Sequence, residues 1–176
     1  MRTLVLGGIR SGKSRWAESA IRAGHPVRYV ATGPAADADD SSWAQRVARH
    51  RDRRPTDWST VETTDLAAQL RAEPDVATLV DDIGGWLTAA LDRSGWERGT
   101  VTAEVDELAT AVDEFTGTLV LVSPEVGLTV VPATATGRRF ADELGLLNQR
   151  LAEHCDRVVL VVAGLPVQVK PTEVPN

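Results

Sequence analysis

The sequence predicts an α/β domain with a mostly parallel sheet and helices on both of its faces, and three observations carry that reading. Short apolar runs alternate with stretches of helical pattern. The runs are nearly continuous in Val, Leu and Ala, as strands buried on two faces must be. A glycine-rich loop also joins the first run directly to the first helical stretch. In chain order, strands are expected at Thr3–Leu6, Val27–Ala31, Thr78–Val80, Thr118–Val122 and Val158–Ala163. Helices are expected at Lys13–Ala23, Ser41–Arg51, Asp65–Ala72, Trp86–Asp92, Thr102–Phe115 and Arg138–His154. Pro34 to Asp40 reads as a mobile loop ending at an N-cap, Asp40-Ser41. After Val158–Ala163, a turn at Gly164-Leu165-Pro166 leads into a second strand, Val167–Lys170, which together make a hairpin at the sheet edge.

With 176 residues, 43% of them hydrophobic, the chain suits one domain, residues 1–170, with Pro171 to Asn176 as a flexible tail. The lone Cys155 excludes an intrachain disulfide and a Cys-based zinc site. Together with an N-terminus that does not read as a charged-then-apolar signal, this makes the cytoplasm the expected location. No apolar run approaches the roughly 20 residues that span a bilayer. A net charge of −6 argues against general nucleic-acid binding, which needs a broad basic face.

Gly7, Gly8, Ile9, Arg10, Ser11, Gly12, Lys13 and Ser14 match GxxxxGK[ST] between the Leu4-Val5-Leu6 run and a helix. The glycines let backbone N–H groups turn inward toward phosphate oxygens, and the new helix adds its positive end. Lys13 is placed to reach the outer phosphates and the Ser14 hydroxyl to meet Mg²⁺. Such sites add a carboxylate at the end of another core strand; Asp81 takes that role here, with Asp82 in reserve. The chain is therefore expected to handle a nucleoside triphosphate.

The segment from Arg46 to Pro55 carries five arginines around His50. Guanidinium forks match phosphate oxygens, and their charge disfavours protonation of a neighbouring imidazole. A neutral His50 could attack phosphorus and carry a nucleotidyl group. Trp43, Val47 and His50 also share one helical face, so His50 could instead simply pack beneath the helix. His25 and His154 read as structural.

GGIRSGKS, Tyr29-Val30-Ala31-Thr32, RVARHRDRRPTDW, Ser123-Pro124-Glu125-Val126-Gly127, Val131-Pro132 and GRRFADELGLLNQRLAEHCDRVVLVVAGLP together resemble one family over Arg2 to about Lys170. It is the bifunctional adenosylcobinamide kinase / adenosylcobinamide-phosphate guanylyltransferase family of cobalamin biosynthesis. The resemblance implies a RecA-like P-loop fold, a homo-oligomer that is often a trimer, ATP and GTP as substrates with Mg²⁺, and a corrinoid acceptor. It makes His50 the guanylylated residue. It assigns nucleotide contacts to Gly7 through Ser14, to Ala31, Thr32 and Gly33, to Arg51, Asp52, Arg53 and Arg54, to Glu62 and to Asp81.

Some positions depart from the family pattern. Asp81-Asp82-Ile83-Gly84-Gly85-Trp86 and Ala89 stand where the family tends to run Asp-Cys-Leu-Thr-x-Trp with a later Asn. Pro124 replaces a favoured Asn, and Ser42-Trp43 replaces Glu-Met. These changes bear on the corrinoid pocket and kinase step rather than on His50. Two other readings are compatible with the P-loop: a small-molecule kinase without guanylyltransferase activity, and a RecA-like NTPase module with a macromolecular partner.

Overall fold

The computed structural model describes residues 1–21, 26–33, 55–97 and 99–171, along which seven strands and five helices succeed one another. They are β1 (Arg2–Gly7), α1 (Lys13–Ile21), β2 (Arg28–Ala31), β3 (Ser59–Glu62), α2 (Leu66–Ala72) and β4 (Thr78–Asp81). Then come α3 (Ile83–Ser94), α4 (Thr102–Asp113), β5 (Leu119–Pro124), α5 (Ala135–His154), β6 (Arg157–Val162) and β7 (Leu165–Lys170). The expected helix Ser41–Arg51 and loop Pro34–Asp40 lie outside the described residues.

The strands form one sheet in the order β3-β2-β4-β5-β1-β6-β7, parallel except for the β6–β7 hairpin. Side-chain alternation then divides the core. Val30, Val80, Leu121, Leu4 and Val158 are register partners across five strands, and all belong to the cluster shared with α2, α3, α4 and α5. One residue further along, Val122, Val5 and Val159 belong to the opposite cluster, with Ala17 and Ile21 of α1. Leu4, Val5, Val30, Val80 and Leu121 are fully buried, so both faces exclude water, as a parallel sheet requires.

Three helices start at side-chain caps. Asp65, Asp82 and Thr134 accept from the backbone N–H of Ala68, Gly85 and Gly137, at 3.2, 2.7 and 3.0 Å. Asp82 starts α3 at Ile83 rather than at the expected Trp86, because its carboxylate holds a first turn that contains Gly84 and Gly85. The Thr134 cap starts α5 at Ala135, ahead of the expected Arg138. Strand β3 was not expected: of Ser59–Glu62 only Val61 is even half-buried, because β3 lies at the sheet edge. The hairpin turn falls one residue earlier than expected, at Ala163 and Gly164, both with positive φ (51° and 80°), while Leu165 and Pro166 belong to β7. Paired positive φ values give the turn the twist of its strands.

Candidate active site

All the described candidate residues gather at the carboxyl ends of the parallel strands. Register places Gly7 of β1 beside Pro124 of β5, and Ala31 of β2 between Glu62 of β3 and Asp81 of β4. In an open α/β sheet this edge is where ligands bind.

After β1 the chain turns through Gly8 to Gly12. Ser11 N–H donates to the Gly8 carbonyl at 3.2 Å, and Trp16 N–H to the Gly12 carbonyl at 2.9 Å, the first bond of α1. Two glycines are sterically required. A Cβ on Gly7 would sit 2.4 Å from Ser11 Oγ and 2.9 Å from the Val161 carbonyl oxygen. Gly12 has φ +94°, and a Cβ there would meet Gly164 Cα at 3.1 Å. Gly164 N–H also donates to the Ser11 carbonyl at 2.7 Å, so the β6–β7 turn braces the loop from one side. Lys13 Nζ lies over the loop, 3.3 Å from the Gly8 carbonyl. The Ser11 hydroxyl is a buried polar atom with no hydrogen-bond partner.

Asp81 follows Val80 on β4, so it points to the α1 face and meets the first turn of α1. The Ser14 hydroxyl donates to Asp81 Oδ1 at 3.3 Å, and Tyr29 Oη–H, from the same face, donates to Oδ2 at 3.0 Å. Burial pushes the Asp81 carboxyl above the usual carboxylate range, against the pull of these two hydrogen bonds and of the Lys13 charge. Asp82 is also raised, first by burial and then by the neighbouring Asp81 charge. Its carboxylate is committed to capping α3, so the geometry separates the two aspartates: Asp81 faces the loop and Asp82 caps a helix.

Beyond β2, the buried Thr32 donates its hydroxyl to the Asp82 carbonyl. Gly85 lets this connection close in, since a Cβ there would lie 3.0 Å from Gly33 Cα. Glu62 ends β3 with its side chain exposed. At the end of β5, Asn148 of α5 accepts from the Ser123 hydroxyl at 2.6 Å and donates to the Pro124 carbonyl at 3.1 Å. Tyr29, Gly85 and Asn148 thus support the site from positions to which the sequence reading gave no role; Tyr29 and Asn148 lay in runs read as strand and helix, and Gly85 between the two. His50, Arg51, Asp52, Arg53 and Arg54 lie outside the described residues. Among the described residues, no group of three or more His, Cys, Asp or Glu side chains could hold a metal ion.

A glycine loop between a central strand and a helix, with a hydroxyl facing a half-buried carboxylate from a second strand, defines a P-loop nucleotide-binding protein. Solved structures agree on the fold. A type III secretion system ATPase of pathogenic bacteria superposes with a TM-score of 0.58 at 13% identity, covering 95% of this chain and 56% of that one. A Pyrococcus horikoshii OT3 protein gives 0.56 at 9% identity, covering 98% and 87%. The fold is RecA-like.

Residues 3–169 match the family described as cobinamide kinase / cobinamide phosphate guanyltransferase, and the chain belongs to that family. The bifunctional adenosylcobalamin biosynthesis protein CobP of Pseudomonas aeruginosa is 45% identical over 174 residues, spanning 97% of this chain and 98% of its own. The bifunctional CobU of Salmonella typhimurium is 36% identical over 190 residues, spanning 97% and 100%. No helix among the described residues is long and apolar enough to cross a membrane.

Proposed function

We propose that the protein carries out two successive transfers in cobalamin biosynthesis, phosphorylating adenosylcobinamide and then guanylylating the resulting phosphate from GTP. The observation that carries this reading is the P-loop opposed by Asp81, in a chain that matches a bifunctional family along nearly its whole length.

In the first transfer the hydroxyl oxygen of the acceptor attacks the γ-phosphorus, the bond to the β-bridging oxygen breaks, and the hydroxyl proton is lost. Gly7 to Ser14 offer backbone N–H groups to the phosphates, and Lys13 offsets charge on the transferring group, so positioning and electrostatics do most of the work. Ser14 and Asp81 fit Mg²⁺ and would hold it, because a hydroxyl and a carboxylate oxygen 3.3 Å apart are both hard donors of the kind the ion takes. When bound, the ion would supply neutralisation of phosphate charge.

In the second transfer an imidazole nitrogen of His50 attacks the α-phosphorus of GTP and pyrophosphate leaves, its charge offset by Arg51, Arg53 and Arg54. An oxygen of adenosylcobinamide phosphate then attacks the same phosphorus, the P–N bond breaks, and neutral His50 is restored. Ala31, Thr32, Gly33, Asp52 and Glu62 complete the nucleotide contacts.

Residues 1–170 act as one catalytic unit, in the cytoplasm, with small molecules rather than nucleic acid as partners; of the expected tail, residues 172–176 lie outside the described residues. Val162, Leu165, Val167 and Val169 are 53%, 70%, 52% and 59% exposed on the edge hairpin, which supports a homo-oligomer, a trimer in the family's manner. The test is purified protein with cobinamide, ATP, GTP and Mg²⁺, products followed by mass. Cobinamide phosphate and then cobinamide-GDP are expected; failure to form either refutes the reading.

A further inference from the structure

We infer that the loop between β5 and α5 is a platform for the body of the corrinoid, seating the macrocycle beside the P-loop. This rests on the cobinamide reading and adds to it the surface that recognises the acceptor.

The twelve residues from Val126 to Gly137 contain no charged side chain, in a chain where 25% of residues are charged. Leu128, Val130 and Val131 are 77%, 91% and 74% exposed. The display is held in place by specific contacts. At its start, Gly127 N–H donates to Glu125 Oε1 at 2.6 Å, and the Thr129 hydroxyl donates to the Val126 carbonyl at 2.9 Å. At its end, Arg138 Nη1 donates to the carbonyls of Pro132 and Ala133 at 3.1 and 2.8 Å. A loop tied at both ends, with valines turned outward, presents apolar area that only a ligand or partner would cover.

Its location selects the occupant. The acceptor hydroxyl must reach the phosphates at Lys13 and Ser14, so the rest of a bulky acceptor must lie on loops bordering the P-loop. Strand β1 has two neighbours. On the β6 side, Gly164 packs onto Ser11 and Gly12 and closes that flank. On the β5 side, Glu125 N–H bonds the Gly7 carbonyl at 3.0 Å, so the loop, uncharged beyond Glu125, leaves the sheet directly next to the phosphate site. A corrin is a broad macrocycle with methyl groups and neutral amides at its rim, and it suits an uncharged, apolar shelf better than a charged one.

The test uses the full-length protein and dicyanocobinamide, followed by its visible absorbance in equilibrium dialysis, with the kinase reaction measured on the same preparations. The double variant V130D/V131D changes exposed side chains, and mant-ADP binding together with sedimentation velocity shows whether the fold and assembly persist. The expected result is at least a tenfold weaker dissociation constant for dicyanocobinamide and a matching rise in KM for cobinamide, with mant-ADP affinity and oligomeric state as in the parent. Unchanged corrinoid affinity overturns the platform, as does a change of oligomeric state with corrinoid affinity retained. If the parent phosphorylates cobinamide while the variant binds it equally well, the platform alone fails. A parent that neither binds nor phosphorylates cobinamide overturns the proposed function as well.

Discussion

The Ser14 hydroxyl meets the Asp81 carboxylate at 3.3 Å across 67 residues of sequence. The meeting follows from strand parity. Leu4, Val80 and Leu121 face the helices α2 to α5, so Asp81, one residue on, faces α1 and its Ser14. Replacing Asp81 with Asn keeps the size and removes the charge. Turnover with Mg²⁺ and ATP is expected to fall about a hundredfold or more, since even outer partners of a metal ligand are worth 10–100-fold. Steady-state kinetics across a Mg²⁺ titration checks this, and the loss should be smallest at saturating Mg²⁺.

The same carboxylate sets a pH dependence. Burial raises the Asp81 pKa above its unfolded value, so the folded state prefers the protonated form. Its cost to stability is absent below the ordinary aspartate range of about 3.9 and grows as pH rises through the raised value. Without nucleotide or metal, D81N should therefore melt above the parent at pH 7, and the difference should vanish on acidification to pH 4. The parent's Mg²⁺ affinity should weaken on acidification from a higher pH than an ordinary aspartate would give, because the proton competes for the same oxygen.

Asp156 has the opposite sign. Burial works to raise its pKa, but the side-chain and backbone hydrogen bonds from Arg2, at 3.0 and 2.6 Å, bring it below the usual value. Its contribution is present above the ordinary aspartate pKa and is lost as pH falls through the lowered one. D156N should lower the melting temperature at pH 7 and narrow its gap to the parent by pH 3. Thermal scans of both proteins across that range check the sign.

Gly84 and Pro124 form a packed pair, with a Cβ on Gly84 falling 2.8 Å from Pro124 Cγ. Both positions read in the sequence as departures from the family pattern, and the contact couples them: the proline ring occupies the space of a larger residue at 84. G84T alone is expected to destabilise by about 1–3 kcal/mol through overpacking. At about 2–4 °C per kcal/mol for a chain of this size, the loss is visible by calorimetry. G84T/P124N should recover most of it, and an additive double variant would refute the coupling.

How much of this was readable in the sequence depended on how local the signal was. The loop from Gly7 to Ser14 was legible because spacing, strand and helix all lie within a few residues. Asp81 was legible as a strand end, but its separation from Asp82 was not, since that rests on which sheet face each residue occupies. Gly84 and Gly85 disguised the first turn of α3, whose stability comes from the Asp82 cap and whose glycines admit Gly33 and Pro124. Edge strand β3 gave no apolar run because its neighbours cover so little of it, and with it the place of Glu62 beside Ala31 went unread. Asn148 showed only helical periodicity, while its bonds to Ser123 and Pro124 are purely tertiary. Replacing it with Leu should leave those groups unpaired and cost about 1–3 kcal/mol.

The most direct test of two-step transfer is whether the protein itself becomes guanylylated. Incubated with [α-³²P]GTP and Mg²⁺, the parent should retain label through denaturation, as an acid-labile and alkali-stable phosphoramidate that cobinamide phosphate discharges as cobinamide-GDP. H50A should take up no label while still phosphorylating cobinamide. Cobinamide-GDP formed without any labelled protein, or label that persists in H50A, would contradict the account.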